Sequence, residues 1–321
     1  MKADILIDWL TFTIRTVKAD EVIKEVLRMD IGLFEYKKKS INFYTSAKVY
    51  NNIQVLYDGH MGVSADMGVC VTMSGAGCRM YEEYHNVDVI ELIRRLVAME
   101  HINITRLDIA CDDKEGFLDM ENVWQYALED KYRSRMRSKQ FYESYSGKQY
   151  GARSVYFGSV SSMYKLRIYD KSAQMYSPDS SLYGVHWIRL EIVLRNTYAI
   201  QAAVILTKSD DIANSVASII NDKFCFIERD DSNVSRCMSP NWWIEFLECL
   251  EYANLEAKPK VQHTVEQHAE WLDFACSRVM AKVYNAIGSE NFNQIMKNGV
   301  GKLNDSDIAQ IEDFKRRFGG E

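Results

Sequence analysis

In the run Tyr164-Lys165-Leu166-Arg167-Ile168-Tyr169-Asp170-Lys171, cations stand at every second position and a tyrosine falls in their row. On a β-strand, alternate side chains share a face, so Lys165, Arg167, Tyr169 and Lys171 project together while Leu166 and Ile168 point the other way. A phenol ordinarily titrates near about 10 and is a weak nucleophile while neutral. Flanking cations are expected to lower that value and to hold an anion beside the ring. Two other stretches repeat the one-sided pattern. In 104–112 one face carries Arg106, Asp108 and Asp112, against Leu107, Ile109 and Cys111; in 187–195 one face carries Arg189, Glu191 and Arg195, against Ile188, Leu190, Ile192 and Leu194. Each strand alone fits the solvated outer face of an antiparallel sheet. As neighbours in one sheet, they would set the carboxylates Asp108 and Glu191 beside a cation-flanked tyrosine. Carboxylates with water form a hard oxygen site for Mg²⁺ or Mn²⁺, which polarises a scissile phosphate. The phenolate would attack phosphorus and stay attached, conserving the phosphodiester energy for later religation.

Charge distribution points to a polyanion. The net charge is −6 and the isoelectric point near 5.7, which argues against a protein that coats nucleic acid indiscriminately. Yet Lys131 to Lys171 holds ten lysines and arginines against Glu143 and Asp170, an island of positive charge in an acidic body. Within it, Arg133, Arg135, Arg137 and Lys139 occupy alternate positions. Extended, that segment is a one-sided basic ribbon; helical, its charges would scatter. Nearby aromatics (Tyr132, Phe141, Tyr142, Tyr145, Tyr150) suit single-stranded nucleic acid, whose bases stack where phosphates are gripped, and equally suit a core.

The elements that must position these residues are legible from periodicity. Strands are predicted at 4–14, 41–50, 52–58, 68–74, 104–112, 152–158, 164–171 and 187–195, and helices at 20–29, 87–100 and 119–129. Ser74-Gly75-Ala76-Gly77-Cys78-Arg79 reads as a glycine turn. After Tyr198 the segments 198–220, 240–256, 264–287 and 305–318 are helical in pattern, with Trp243, Phe246, Leu247 and Leu250 forming an apolar stripe that fits core packing. The expected fold is α+β: a mainly antiparallel, nuclease-type sheet domain over 1–200, followed by a mostly helical region over 201–321.

Several chemistries are disfavoured. Seven cysteines show no CxxC spacing, which predicts reduced thiols and no structural zinc. The six histidines include no His-hydrophobe-His pair, and His263 and His268, five apart, fall on different helix faces. No GxxxxGK[ST] loop supports ATP use. The apolar run at the start is broken by Asp4 and Asp8, so a soluble, cytoplasmic protein without membrane contact is expected.

Taken in order, Ser74–Arg79, Thr105–Asp112 (TRLDIACD), Val155–Ser159 (VYFGS), Leu166–Lys171 (LRIYDK) and Ile188–Glu191 (IRLE) resemble the Rep_trans replication initiation factors, which include rolling-circle plasmid initiators and MobT-type relaxases. The resemblance spans roughly residues 4–250. It implies nicking of one DNA strand at an origin, a 5′-phosphotyrosine link, a free 3′-OH, and a divalent metal, Mg²⁺ or Mn²⁺, held by acidic residues. Carried onto this chain, Tyr169 is the nucleophile, Asp108 and Glu191 hold the metal with Asp8 a further candidate and Asp112 another, and Arg167 and Lys171 serve the phosphate. Arg106, Arg133, Arg135, Arg137, Lys165 and Arg189 join them in binding DNA. The implied partners are origin DNA, single-stranded or locally melted, a helicase or accessory DNA-binding protein, and a second copy of the chain. Two alternatives stay open on the residues: an inactive DNA-binding relative, and a two-carboxylate hydrolytic nuclease.

Overall fold

Alternating hydrophobic patterns become strands because a sheet with one buried face requires that period. We describe a computed structural model covering residues 4–15, 17–41, 43–59, 67–146, 149–176, 180, 184–209, 211–251, 265, 269, 272, 277–303 and 305–318. His60, Lys148, His263, His268 and Trp271 lie outside the described residues, as does the Tyr150 side chain. The strands are β1 (Asp4–Ile14), β2 (Glu35–Ile41), β3 (Tyr44–Tyr50), β4 (Ile53–Gly59), β5 (Val69–Ser74), β6 (Ile102–Asp113), β7 (Tyr132–Ser134), β8 (Lys139–Ser146), β9 (Gln149–Phe157), β10 (Tyr164–Asp170), β11 (Ile188–Arg195) and β12 (Phe224–Phe226). Ten of them form one antiparallel sheet in the order β2-β3-β4-β5-β1-β6-β11-β10-β9-β8, while β12 pairs with β7. The three one-sided charged strands, β6, β11 and β10, are therefore consecutive neighbours.

The helices are a first turn Ala19–Glu21 (α1) running into a π-helical turn Val22–Val26, then α2 (Gly75–His85), α3 (Val89–Val97), α4 (Met120–Leu128), α5 (Lys171–Met175), α6 (Thr197–Lys208), α7 (Ile212–Lys223), α8 (Asn241–Glu251), α9 (Ser277–Val300) and α10 (Asp305–Phe318). Aspartates start several of them by accepting backbone N–H bonds: Asp88 from Ile90 at 2.8 Å, Asp170 from Ala173 at 3.0 Å and Asp211 from Asn214 at 2.9 Å. The aliphatic face of the sheet includes Leu107 and Ile109 from β6, Leu166 and Ile168 from β10, and Leu190 and Ile192 from β11, all buried in one core. Helix α6 packs against β6 and β11, and its buried Ala199, Ala202 and Ala203 allow a close approach.

The structure corrects several expectations. Ser74–Arg79 is not a free turn: Ser74 ends β5, its hydroxyl accepts from Gly77 N at 3.4 Å, and α2 begins at Gly75. Strand β2 leaves no periodic signal, because Glu35-Tyr36-Lys37-Lys38-Lys39 has no apolar face; it forms the sheet edge, where lysines discourage further pairing. The charged strand ends at Asp170, so Lys171 opens α5 instead of closing β10. Residues 20–29 give only a short turn before the π-helical segment. In the basic ribbon, regular pairing stops at Ser134.

Two compact units divide the chain, Met1–Leu255 and Glu256–Glu321. The helices that follow residue 200 up to α8 thus belong with the sheet, and the boundary expected at 200 falls inside the first unit. Trp243, Phe246 and Leu250 are buried in its core. In the second unit, α9 is interrupted at Gly288, where φ is 80°. Among the described residues no helix is long and apolar enough to cross a membrane.

At the end of β6, fully buried Asp113 accepts backbone N–H bonds from Glu115 (3.0 Å), Gly116 (3.1 Å) and Leu118 (2.6 Å), with His186 Nε2 3.2 Å away. Asp113→Ala strands these donors, and about 2–3 kcal/mol of stability should be lost. Urea unfolding checks this through a lower midpoint at an unchanged slope.

Candidate active site

The polar face of the central strands is buried because its charges neutralise one another. Register places Arg167 opposite Glu191 and Tyr169 opposite Arg189 between β10 and β11, and Arg189 opposite Asp112 between β11 and β6. Arg106 holds Asp108 with two bonds, Nε to Oδ1 at 2.9 Å and Nη2 to Oδ2 at 2.6 Å. Arg167 Nη2 donates to Glu191 Oε1 and lies 3.6 Å from Asp108 Oδ2, so one guanidinium bridges the two carboxylates. Glu191 Oε2 faces Tyr169, whose hydroxyl donates to it at 3.4 Å. Arg189 grips Asp112 through Nε (2.5 Å) and Nη2 (2.7 Å) and reaches Asp8 Oδ1 through Nη1 at 3.2 Å. Exposure is 1% for Asp108, 3% for Glu191 and 8% for Tyr169.

Asp8 reaches this face through a β-bulge. Pairing of β1 with β6 shifts between Ile7 and Trp9, turning Asp8 and Trp9 toward the charged side. The sequence carries the signal as a change of phase: Ile5 and Ile7 are core residues at odd positions, Leu10, Phe12 and Ile14 at even ones. Trp9 then lies under Arg106, with the guanidinium carbon 4.1 Å from the ring centroid.

The structure thus gathers Tyr169, Asp108, Glu191, Asp8, Arg106, Arg167 and Arg189 into one network. Lys171 joins from α5, its Nζ 5.9 Å from the centre of the Tyr169 ring. Lys165 lies on the same face, where burial and then Arg167, Arg195 and Arg106 lower its pKa. Arg133, half-buried beside β12, and exposed Arg135 and Arg137 belong to the separate ribbon. Asp112, a metal-ligand candidate by resemblance, has both oxygens engaged by Arg189, for which it is the buried counter-charge.

One electrostatic expectation reverses. Burial, followed by the Glu191 charge, raises the Tyr169 pKa, outweighing Arg189 and Arg167. The phenol is therefore neutral in this state and needs a proton acceptor. Glu191 suits that role, because burial pushes its carboxyl up to about 7, with Arg167 opposing and the Asp108 and Asp8 charges adding to the rise. Burial raises Asp108 as well, against the pull of Arg106 and Arg167.

No group of three or more His, Cys, Asp or Glu that could hold a metal ion occurs among the described residues. The donor chemistry nevertheless fits a hard divalent cation. Asp108 and Glu191 are buried carboxylates on adjacent strands, hard oxygen donors whose charges Arg106 and Arg167 balance in this state.

Glycine at 75 lets α2 meet the bulge. A Cβ there would lie 2.3 Å from Asp8 Oδ1 and 3.2 Å from the Asp8 carbonyl oxygen. Gly75→Ala should displace the Asp8 carboxylate from Arg189 and cost about 1–3 kcal/mol. A thermal melt together with a crystal structure of the variant checks this; an unmoved Asp8 would contradict it.

The family model for replication initiation factors, Rep_trans, matches residues 102–300, and the one for the N-terminal domain of rolling circle replication initiation proteins matches residues 4–94. The chain is 26% identical over 295 residues to the candidate DNA relaxase NicK of Bacillus subtilis (strain 168), an alignment covering 88% of this chain and 81% of that protein. It is also similar to the rolling circle replication initiator protein from Geobacillus stearothermophilus, with a TM-score of 0.68 and 28% identity, covering 78% of this chain and 97% of that structure.

Proposed function

This chain belongs to the Rep_trans family of replication initiation factors, and from that premise we propose that it nicks one DNA strand at an origin by direct attack of Tyr169 on a phosphodiester. The observation that carries the reading is the Tyr169 hydroxyl directed at Glu191 Oε2, beside the Arg167-bridged Asp108. As the phenol oxygen bonds to phosphorus, its proton passes to Glu191. The bond from phosphorus to the 3′ oxygen breaks, and that oxygen leaves with a proton from water. The product is a 5′-phosphotyrosine and a free 3′-OH, and the reverse attack reseals the strand.

Arg167 and Lys171 flank the reacting position and hold phosphate oxygens. Arg189, fixed by Asp112, keeps β11 and the β1 bulge in register. Asp108, with Asp8 beside it, would hold a divalent cation, which would supply Lewis-acid polarisation of the phosphate when bound and leave Glu191 to take the phenol proton. Replication initiation and transfer nicking share this chemistry.

A second reading, metal-dependent hydrolysis, draws on the paired carboxylates and on the raised Tyr169 pKa. Incubation with a nick-site single strand and Mn²⁺ separates the two on a denaturing gel. Tyrosine attack gives a covalent adduct that protease treatment shortens; hydrolysis gives free DNA ends that protease leaves unchanged.

A further inference from the structure

Beyond the active site, the turn between β9 and β10 and the basic ribbon border an open cleft of about 540 Å³, its polar lining supplied by Arg135, Arg137, Ser138, Ser159 and Ser162 and its apolar floor by Met136, Met163, Tyr164 and Tyr198. The ribbon is held in place on its inner side. Ser134 Oγ donates to the Lys223 carbonyl at 2.7 Å and accepts from Met136 N at 3.1 Å, Met136 is buried with its sulfur against Gly158, and Gly158 N donates to the Ser138 carbonyl at 2.8 Å. Alternation therefore continues past the end of β7, leaving Arg135 and Arg137 exposed on either side of buried Met136. Neither arginine has an ion pair with an acidic side chain among the described residues. Asp222, whose field reaches Tyr164, is already paired with Lys223 at 2.6 Å.

Opposite the arginines, the Ser159 hydroxyl lies 3.1 Å from that of Ser161 and 3.0 Å from that of Ser162, an array that can donate to an anion. Arg195 fixes the turn by donating to the carbonyls of Val160 (2.5 Å) and Ser162 (3.2 Å). Tyr164 begins the strand that carries Tyr169. Tyr169 lies five positions farther along, about 17 Å away, on the opposite, charged face, where Lys165 and Arg167 lead toward it; the Tyr164 ring itself packs against Tyr198 on the aliphatic face.

We propose that this cleft is a second phosphate subsite, in which Arg135 and Arg137 grip the backbone of the same single DNA strand a few nucleotides from the scissile linkage and so set its register over Tyr169. The proposal rests on the nicking reading for the strand's path, while its chemistry, two exposed arginines and serine hydroxyls lining one cleft, is that of phosphodiester binding.

The test uses the full-length Tyr169→Phe protein, which leaves the strand intact, with fluorescent (dT)20 and anisotropy over a salt series. Arg135→Ala with Arg137→Ala should weaken binding about tenfold and make the slope of log K against log salt shallower by about 1.4, the loss of two phosphate contacts. Lys37→Ala with Lys38→Ala, at the far sheet edge, should change neither. Equal effects of the two double variants, or an unchanged slope in the first, would overturn the subsite. With nick-site strands trimmed from one end, binding by the parent protein should fall about tenfold once the cleft's nucleotides are gone, and the arginine variant should show no such step; a step of equal size in both also overturns it. Since no cleavage is measured, failure of the tyrosine mechanism would appear separately, as a missing adduct with the wild-type chain.

Discussion

Tyr169→Phe should lower the yield of covalent protein–DNA adduct by about 10⁴-fold or more while leaving the protein folded and able to bind single strands. The magnitude follows from removing the nucleophile itself. Stability should be nearly unchanged: the hydroxyl makes a single long bond of 3.4 Å to Glu191, and the ring remains seated between β9 and β11. Adduct formation on a denaturing gel and an unaltered urea midpoint together check the prediction. A variant that still forms the adduct would move the nucleophile elsewhere, with Tyr164 and Tyr156 next in line.

Asp108→Asn and Glu191→Gln should each reduce cleavage by about 10³-fold, with strand binding retained, since each removes negative charge from a face that meets phosphates. The two should differ in their response to pH. With its carboxyl held near 7, Glu191 is protonated below that value and cannot take the phenol proton, so wild-type cleavage should rise as pH climbs through about 7 and then level. Asp108→Asn should keep a rising limb, shifted to lower pH because one repelling charge is gone; Glu191→Gln should have none. Stability runs the opposite way with pH. A carboxyl raised above its ordinary value favours the fold while protonated, so the Glu191 contribution is full below about 4.5 and is lost as pH rises through 7. Glu191→Gln should flatten that decline in the urea midpoint. A wild-type rate that falls with pH across this range would contradict the assignment.

Much of this arrangement was legible because strand periodicity is strict. Once Arg106 and Asp108, Arg167 and Tyr169, and Arg189 and Glu191 are assigned to strands, each pair must share a face, and the aliphatics between them must face a core. That the three strands are adjacent cannot be read from periodicity, which says nothing about strand order. The resemblance of the ordered motifs to a family supplies the expectation that they meet. Other features depend on tertiary detail. The Ser74–Arg79 segment reads as a turn by composition, yet its glycines serve an approach of helix to strand at Asp8 and, at Gly77, to the Asn52 carbonyl, where a Cβ would lie 2.5 Å away. The direction of the Tyr169 pKa is hidden for a different reason: flanking cations are visible in a sequence and burial is not. Arg189 and Arg167 do lower it, but desolvation and a carboxylate in contact with the hydroxyl weigh more.

The central claim is tested most directly by identifying the peptide that retains a nucleotide after cleavage. Wild-type protein is incubated with a nick-site single strand and Mn²⁺, digested with nuclease and trypsin, and analysed by mass spectrometry. Trypsin cuts after Arg167 and Lys171, so a nucleotide is expected on the tetrapeptide Ile168–Lys171, linked through Tyr169. A nucleotide on any other peptide, or cleaved DNA with none attached, would contradict it.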